Sequence, residues 1–171
     1  AANNDPAVKR AARLGDAWFI NPHSTLETIR DHVKLYRETL TACGKPAPRH
    51  LPIVKEIFCA RDRATAIAEA GPYLLGKYRD YAKWGQDKVM PGNEDFTRAF
   101  DDLIKDRFIL GSPEDCYEQL RPYWEEFGVD YFVFRTRWAG MPLATALSSV
   151  RLISDEVLPA MRKATPARWM P

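Results

Sequence analysis

Residues 110–138 spell out one helix, one tight turn and one strand, and that unit limits what the rest of the chain can fold into. Ser112 is a preferred helix N-cap, and Pro113 suits the first helical position. Asp115, three residues after the cap, can return a bond to it as in a capping box. Cys116, Leu120, Tyr123, Trp124 and Phe127 recur on one face at helical spacing. Gly128 supplies a left-handed stop. Residues 129–134 are almost wholly apolar, the pattern of a strand covered on both faces. Helix, glycine and buried strand form half of a βαβ repeat. The strand would deliver Arg135, Arg137 and Trp138 at its carboxyl end, which carries the chemistry in parallel α/β folds.

The flanking sequence repeats this grammar. Asp5 as cap and Pro6 at the first helical position predict a helix through Leu14, closed by Gly15. Residues 17–20 read as a short strand, and Ser24 with Glu27 as a second capping box. A stripe of Leu26, Ile29, Val33, Tyr36, Leu40 and Cys43 follows. Residues 53–59 form the next strand, interrupted by Lys55 and Glu56. Asp62 caps a helix that Gly71-Pro72 should kink or break. A loop over residues 85–93 and a short helix around Phe96, Phe100 and Ile104 lead back to the capped helix at Ser112. A last helix runs from Pro142 and bends at Pro159. Residues 1–163 read as one domain, and 164–171 as a tail. Strands alternating with helices predict an α/β fold with a parallel sheet. The first helix has no strand to feed it, so the sequence is expected to start inside a domain. The open sheet edge needs another chain or an N-terminal part to cover it.

Composition excludes several functions. The net charge is +2, with 25 basic residues interspersed among 23 acidic ones, which argues against a nucleic-acid surface. No run approaches the length of a membrane span, and no signal peptide is visible. The three cysteines, Cys43, Cys59 and Cys116, all sit in apolar patterns. They read as reduced core residues of a cytoplasmic protein. The histidines are too scattered for a metal constellation.

Five segments, in order, resemble the luciferase-like flavin-dependent monooxygenases. They are Ala-Val-Lys-Arg-Ala-Ala-Arg-Leu-Gly-Asp-Ala-Trp-Phe at 7–19, Gly-Ser-Pro-Glu-Asp at 111–115, Gly-Val-Asp at 128–130, Trp-Ala-Gly-Met-Pro at 138–142 and Glu-Val-Leu-Pro at 156–159. The resemblance implies the C-terminal half of a (β/α)₈ TIM barrel, with parallel strands inside surrounding helices. It also implies reduced FMN as cofactor, or in one branch a deazaflavin. Oxygen and a small organic molecule would be the substrates. The chain would act as a homo-oligomer or be completed by an N-terminal half. The other readings are a deazaflavin-dependent dehydrogenase of the same fold and a non-catalytic, self-associating half-barrel.

The candidate site residues follow from both lines. Ala2, Asn3, Asn4 and Asp5 precede a helix N-terminus, whose free N–H groups and dipole can hold a phosphate. The family uses this loop for the flavin phosphate. Asp5 as a cap carries a charge that opposes an anion. Trp18 is a candidate cofactor wall or a core residue, and Asn21 a candidate pocket residue. His23 is a candidate catalytic group or a solvated loop residue. Lys55 and Glu56 point to opposite faces of their strand, so only one can enter the barrel. Their bland reading is an ion pair with other strands, with Glu56 kept as a pocket candidate. Arg135 could grip an anion and Trp138 could wall the pocket; the plain alternative is an exposed arginine pair at the barrel mouth.

Overall fold

The computed structural model describes residues 2–92 and 94–164. Residues 165–171 of the expected tail lie outside the described residues. Helix α1 (Asp5–Leu14) and helix α2 (Leu26–Ala42) precede strand β1 (Pro52–Cys59). Helix α3 (Arg63–Lys83), a short helix α4 (Phe100–Ile104) and strand β2 (Ile109–Gly111) follow. Helix α5 (Pro113–Glu125), strand β3 (Tyr131–Arg135) and helices α6 (Leu143–Leu152) and α7 (Leu158–Ala164) complete the order. The three strands form one parallel sheet in the order β2-β1-β3. Among the described residues no helix is long and apolar enough to cross a membrane.

Alternation along β1 divides the core in two. Ile53, Ile57 and Cys59 face a cluster built from α1, α2, α5 and the C-terminal helices. Phe58 faces the other cluster, with Ala66, Ala70, Leu74 and Tyr78 of α3 and with Phe96, Phe108 and Trp138. Four of the six residues of the predicted α2 stripe, Ile29, Val33, Tyr36 and Leu40, are buried. Each such side chain contributes on the order of 2 kcal/mol by leaving water.

The Ser112 capping box is present, with both bonds made. Gly128 takes the left-handed conformation at φ +69°. Gly111, immediately before the cap, sits at φ +149°, and a Cβ there would lie 2.5 Å from the Cβ of Asp115. The box closes this tightly only because residue 111 has no side chain.

Several local expectations are corrected. The cap of α1 is Asn4, whose Oδ1 accepts the Ala7 N–H at 3.1 Å; Asp5 is the first helical residue. The cap of α2 is Thr25, because the Ser24 hydroxyl is engaged with the Asn21 amide. Residues 17–20 contribute one bridge, Ile20 to Ile53, in place of a strand. Helix α3 runs unbroken through Pro72. Its buried stripe Ala66, Ala70, Leu74 and Tyr78 holds it to the sheet across the lost backbone bond. The expected loop over residues 85–93 contains a 3₁₀ turn at Asp87–Val89, and its residue 93 lies outside the described residues. β3 is not covered on both faces: Tyr131 is 57% and Val133 38% exposed. Cys43 is exposed, at the end of α2. The last helix is interrupted by a π turn at Ile153–Val157, where the Leu158 N–H bonds the carbonyl of Ile153. Pro159 offers no N–H to the usual partner four residues back, and the widened turn absorbs that defect.

Candidate active site

The parallel register places Glu56 of β1 beside Arg135, the last residue of β3. Glu56 is buried, and three groups from three elements converge on its carboxylate. Lys77 of α3 donates from Nζ to Oε1. Arg135 donates from Nη1 to the same oxygen at 3.0 Å. The Trp138 indole donates to Oε2 at 2.5 Å. Burying one carboxylate here is tolerable only because two cations and an indole N–H replace water around it. Trp138 is itself buried, with its ring 6.4 Å from that of Phe58. Arg135 remains 40% exposed and forms the open side of the cluster.

His23 lies next to this cluster. Its Nδ1 is 3.2 Å from the Tyr78 hydroxyl, and its ring meets Tyr81 edge-on at 5.0 Å. Burial pushes the imidazole pKa down to about 3, and Lys77, Arg135, Arg107 and Lys55 add to the fall. His23 is therefore neutral across the working pH range. Burial also keeps Tyr78 a phenol, its pKa well above the ordinary value. A neutral ring and a phenol that share one hydrogen bond can hold a proton between them and present the other ring nitrogen to a ligand. The Asn21 amide fixes the turn by accepting the His23 N–H at 2.8 Å. Arg107 fixes it from the other side by donating to the His23 carbonyl. Lys77 is pushed below the ordinary lysine range by burial, with Glu56 opposing that change. Its ammonium also lies 5.2 Å above the Tyr81 ring. One carboxylate against two cations leaves the cluster with an excess positive charge, and the exposed end of that charge is Arg135.

Glu56, Arg135 and Trp138 thus meet at one carboxylate, and His23 sits within the field of its cations. Asn21 positions His23, since its amide is engaged within its own turn. Trp18 is buried on the other side of the sheet, against His32 and Tyr36. Its indole N–H donates to the Ala2 carbonyl at 3.4 Å, so it anchors the loop that precedes α1. In that loop Asn3 is buried with its Oδ1 unpartnered. Asn4 also donates to the Val89 carbonyl at 3.4 Å. The Asp5 carboxylate lies 3.2 Å from His32 Nε2. Lys77, Tyr78, Tyr81 and Arg107 were not singled out by the sequence. The one available signal was a lysine set among Leu74, Leu75 and Tyr78 in a buried stripe. Among the described residues no group of His, Cys, Asp and Glu gathers to hold a metal ion.

Comparison with known proteins gives this geometry its setting. No curated protein matches the chain. Monooxygenase RslO1 from Streptomyces bottropensis superposes with a TM-score of 0.65 at 19% identity, over 94% of this chain and 46% of its own. The oxygenating constituent of 3,6-diketocamphane monooxygenase from the CAM plasmid of Pseudomonas putida, solved in complex with FMN, gives 0.63 at 20% identity, over 93% and 46%. The coenzyme F420 dependent tetrahydromethanopterin reductase of Methanopyrus kandleri gives 0.52 at 17% identity, over 93% and 49%. The chain therefore spans about half the length of the solved relatives it matches. Its fold is α/β and corresponds to half of a luciferase-like TIM barrel. The luciferase-like monooxygenase family model matches residues 1–131, and the chain belongs to that family.

Proposed function

We propose that this chain forms part of a flavin-dependent monooxygenase that uses reduced FMN and oxygen on a small organic substrate. The observation that carries the reading is the buried Glu56 carboxylate, held by Lys77, Arg135 and Trp138 where β1 runs beside the carboxyl end of the parallel strand β3. Charged groups are costly to bury, and in barrels that end of the sheet is where chemistry is placed. Arg135 would orient an anionic or electron-rich part of the ligand, and His23 with Tyr78 would hold or pass a proton. FMN enters the reading through the camphane monooxygenase relative and the family itself. The bound flavin would supply the redox chemistry; the residues here bind, orient and exclude water.

The loop before α1 fits FMN in its ribityl region. The unpartnered Asn3 Oδ1 is an acceptor in want of a donor, which a ribityl hydroxyl provides. The N-terminus of α1 favours an anion, although Asn4 already takes the Ala7 N–H and Pro6 has none to offer. Completion of the barrel belongs to the same proposal: Phe19, Tyr131 and Val133 are exposed apolar side chains. An N-terminal half-barrel or a second copy would cover them. A cytoplasmic location accords with the free thiols of Cys59 and Cys116.

The test is a fluorescence titration of the chain with FMN and, in parallel, with phosphate-free riboflavin. The expected result is tighter binding of FMN and weaker binding of both flavins by Asn3→Ala. Equal affinity for the two flavins would remove the phosphate site from the proposal. No binding by a chain supplied with its complementary half would remove the flavin.

A further inference from the structure

Two buried thiols take no part in the site just described. Cys59 is the last residue of β1 and lies in register beside Gly111 of β2. Cys116 sits in the first turns of α5, which starts directly after β2. One carbonyl brings them together: Gly111 accepts the Ala60 N–H at 2.9 Å, and the Cys116 Sγ lies 3.7 Å from that same oxygen. The two thiols belong to one core cluster, with the Cys59 Sγ 4.0 Å from the carbonyl oxygen of Ala60. Both are free. Cys59, 1% exposed, borders solvent on one side. With Ala60, Arg61, Thr65, Ser148 and Leu152 it lines an open cleft between α3 and α6. The Cys59 backbone is fixed at the floor of that cleft by its N–H bond to Ser149 Oγ at 2.8 Å.

We propose that Cys59 and Cys116 are a peroxide-reactive pair that closes to an intramolecular disulfide, with Cys59 attacking first and Cys116 resolving. In the first step the Cys59 thiolate attacks hydrogen peroxide. The O–O bond breaks, Cys59 becomes a sulfenic acid, and hydroxide leaves. In the second step the Cys116 sulfur attacks the Cys59 sulfur. The S–S bond forms, the S–O bond breaks, and the Cys116 proton leaves with the hydroxyl as water. Two thiols and one peroxide give one disulfide and two waters. The order of events follows from where the two thiols sit relative to the cleft. The neighbouring Cys116 lowers the Cys59 pKa, against burial and the carboxylates of Glu156 and Asp115. The Cys116 pKa is raised by the neighbouring Cys59 and by burial. The cleft reaches Cys59 and not Cys116, which points to the same order.

The experiment uses the full chain with Cys43→Ser, which removes the exposed thiol. The folded protein is treated with hydrogen peroxide, unfolded, alkylated and digested for mass spectrometry. The expected product is a cross-linked pair of peptides containing Cys59 and Cys116, lighter by two hydrogens and separated by dithiothreitol. In Cys116→Ala the expected product is a Cys59 sulfenic acid that dimedone traps. Full alkylation of both residues after peroxide overturns the proposal. So does a disulfide joining two molecules, or Cys59 carried to sulfinic acid without a cross-link. The first measurement requires no change at either thiol, so a poorly folding Cys116→Ala does not blunt it.

Discussion

Lys55→Met should stabilise the protein, and the gain should depend on pH. Lys55 is buried on the face of β1 that carries Ile53 and Ile57, and its Nζ has no hydrogen-bond partner. The compensation on view is the Tyr123 ring, 5.1 Å away. Burial lowers its pKa from 10.5 to about 7, with the nearby charge of Arg107 adding to the fall and Glu56 opposing it. The folded pKa is depressed, so the unfolded chain binds more protons between about pH 7 and 10.5. Stability from this residue therefore rises with pH across that window and levels off below it. Each tenfold loss of proton affinity on folding is worth about 1.4 kcal/mol, so the burial penalty is about 4 kcal/mol at pH 7 and about 2 kcal/mol at pH 9. Methionine fills a similar volume and does not titrate. Its packing contribution is the same at both pH values, so the difference of about 2 kcal/mol isolates the lysine. The assay is equilibrium urea unfolding of both proteins at pH 7 and pH 9, followed by tryptophan fluorescence. An identical gain at the two pH values would refute the reasoning, because it would mean that Nζ keeps an ordinary lysine pKa in the folded state.

Glu56→Gln should cost roughly 3 kcal/mol in the same assay, since it leaves Lys77 and Arg135 facing each other without their anion; the added loss of Lys77→Met in that background should be small. The His23 ring protons should show no titration by NMR between pH 8 and pH 5, because the folded pKa is about 3. For the same reason the His23 contribution to stability should be lost as pH falls from about 6.5 toward 3, where the unfolded chain takes up the proton first. Gly111→Ala should destabilise by about 2 kcal/mol or more, through the collision with Asp115 and the unfavourable φ. Ser112→Ala should cost about 1 kcal/mol by removing the cap, and thermal melting would distinguish the two changes.

What the sequence disclosed was local chemistry. The Ser112 box, the Gly128 stop and the α2 stripe each depend on residues a few positions apart, and each is present. Ser24 and Thr25 show where that reading slips. Both hydroxyls can cap, and the choice went to Thr25 because a neighbouring amide, Asn21, had already engaged Ser24. β2 escaped notice because its three residues abut a helix cap and are too short to show a period. Arg135 and Trp138 could be nominated singly from the end of a strand, and Glu56 as a charge within one. Their meeting at one carboxylate is a matter of register between β1 and β3, and register is a long-range property. Lys77 was invisible for a related reason. A helical stripe records which positions are buried, not which charge on the opposing strand awaits them. The expected ion pair at residues 55–56 was found for Glu56 alone, since Lys55 faces an aromatic ring on the other side.

The π turn at Ile153–Val157 has a consequence for how this helix tolerates change in length. A π turn holds one residue more than an α turn, so it amounts to an insertion kept inside a helix. Ile153 and Val157, its first and last residues, are buried, as is Met161 beyond it. The extra residue sets the angular phase at which α7 meets the core. Deleting one residue of the turn would restore regular α geometry and rotate everything beyond it by about 100°. Val157 and Met161 would swing from the core toward water, while the hydrogen-bond ladder became more regular. The less regular helix is the one that fits.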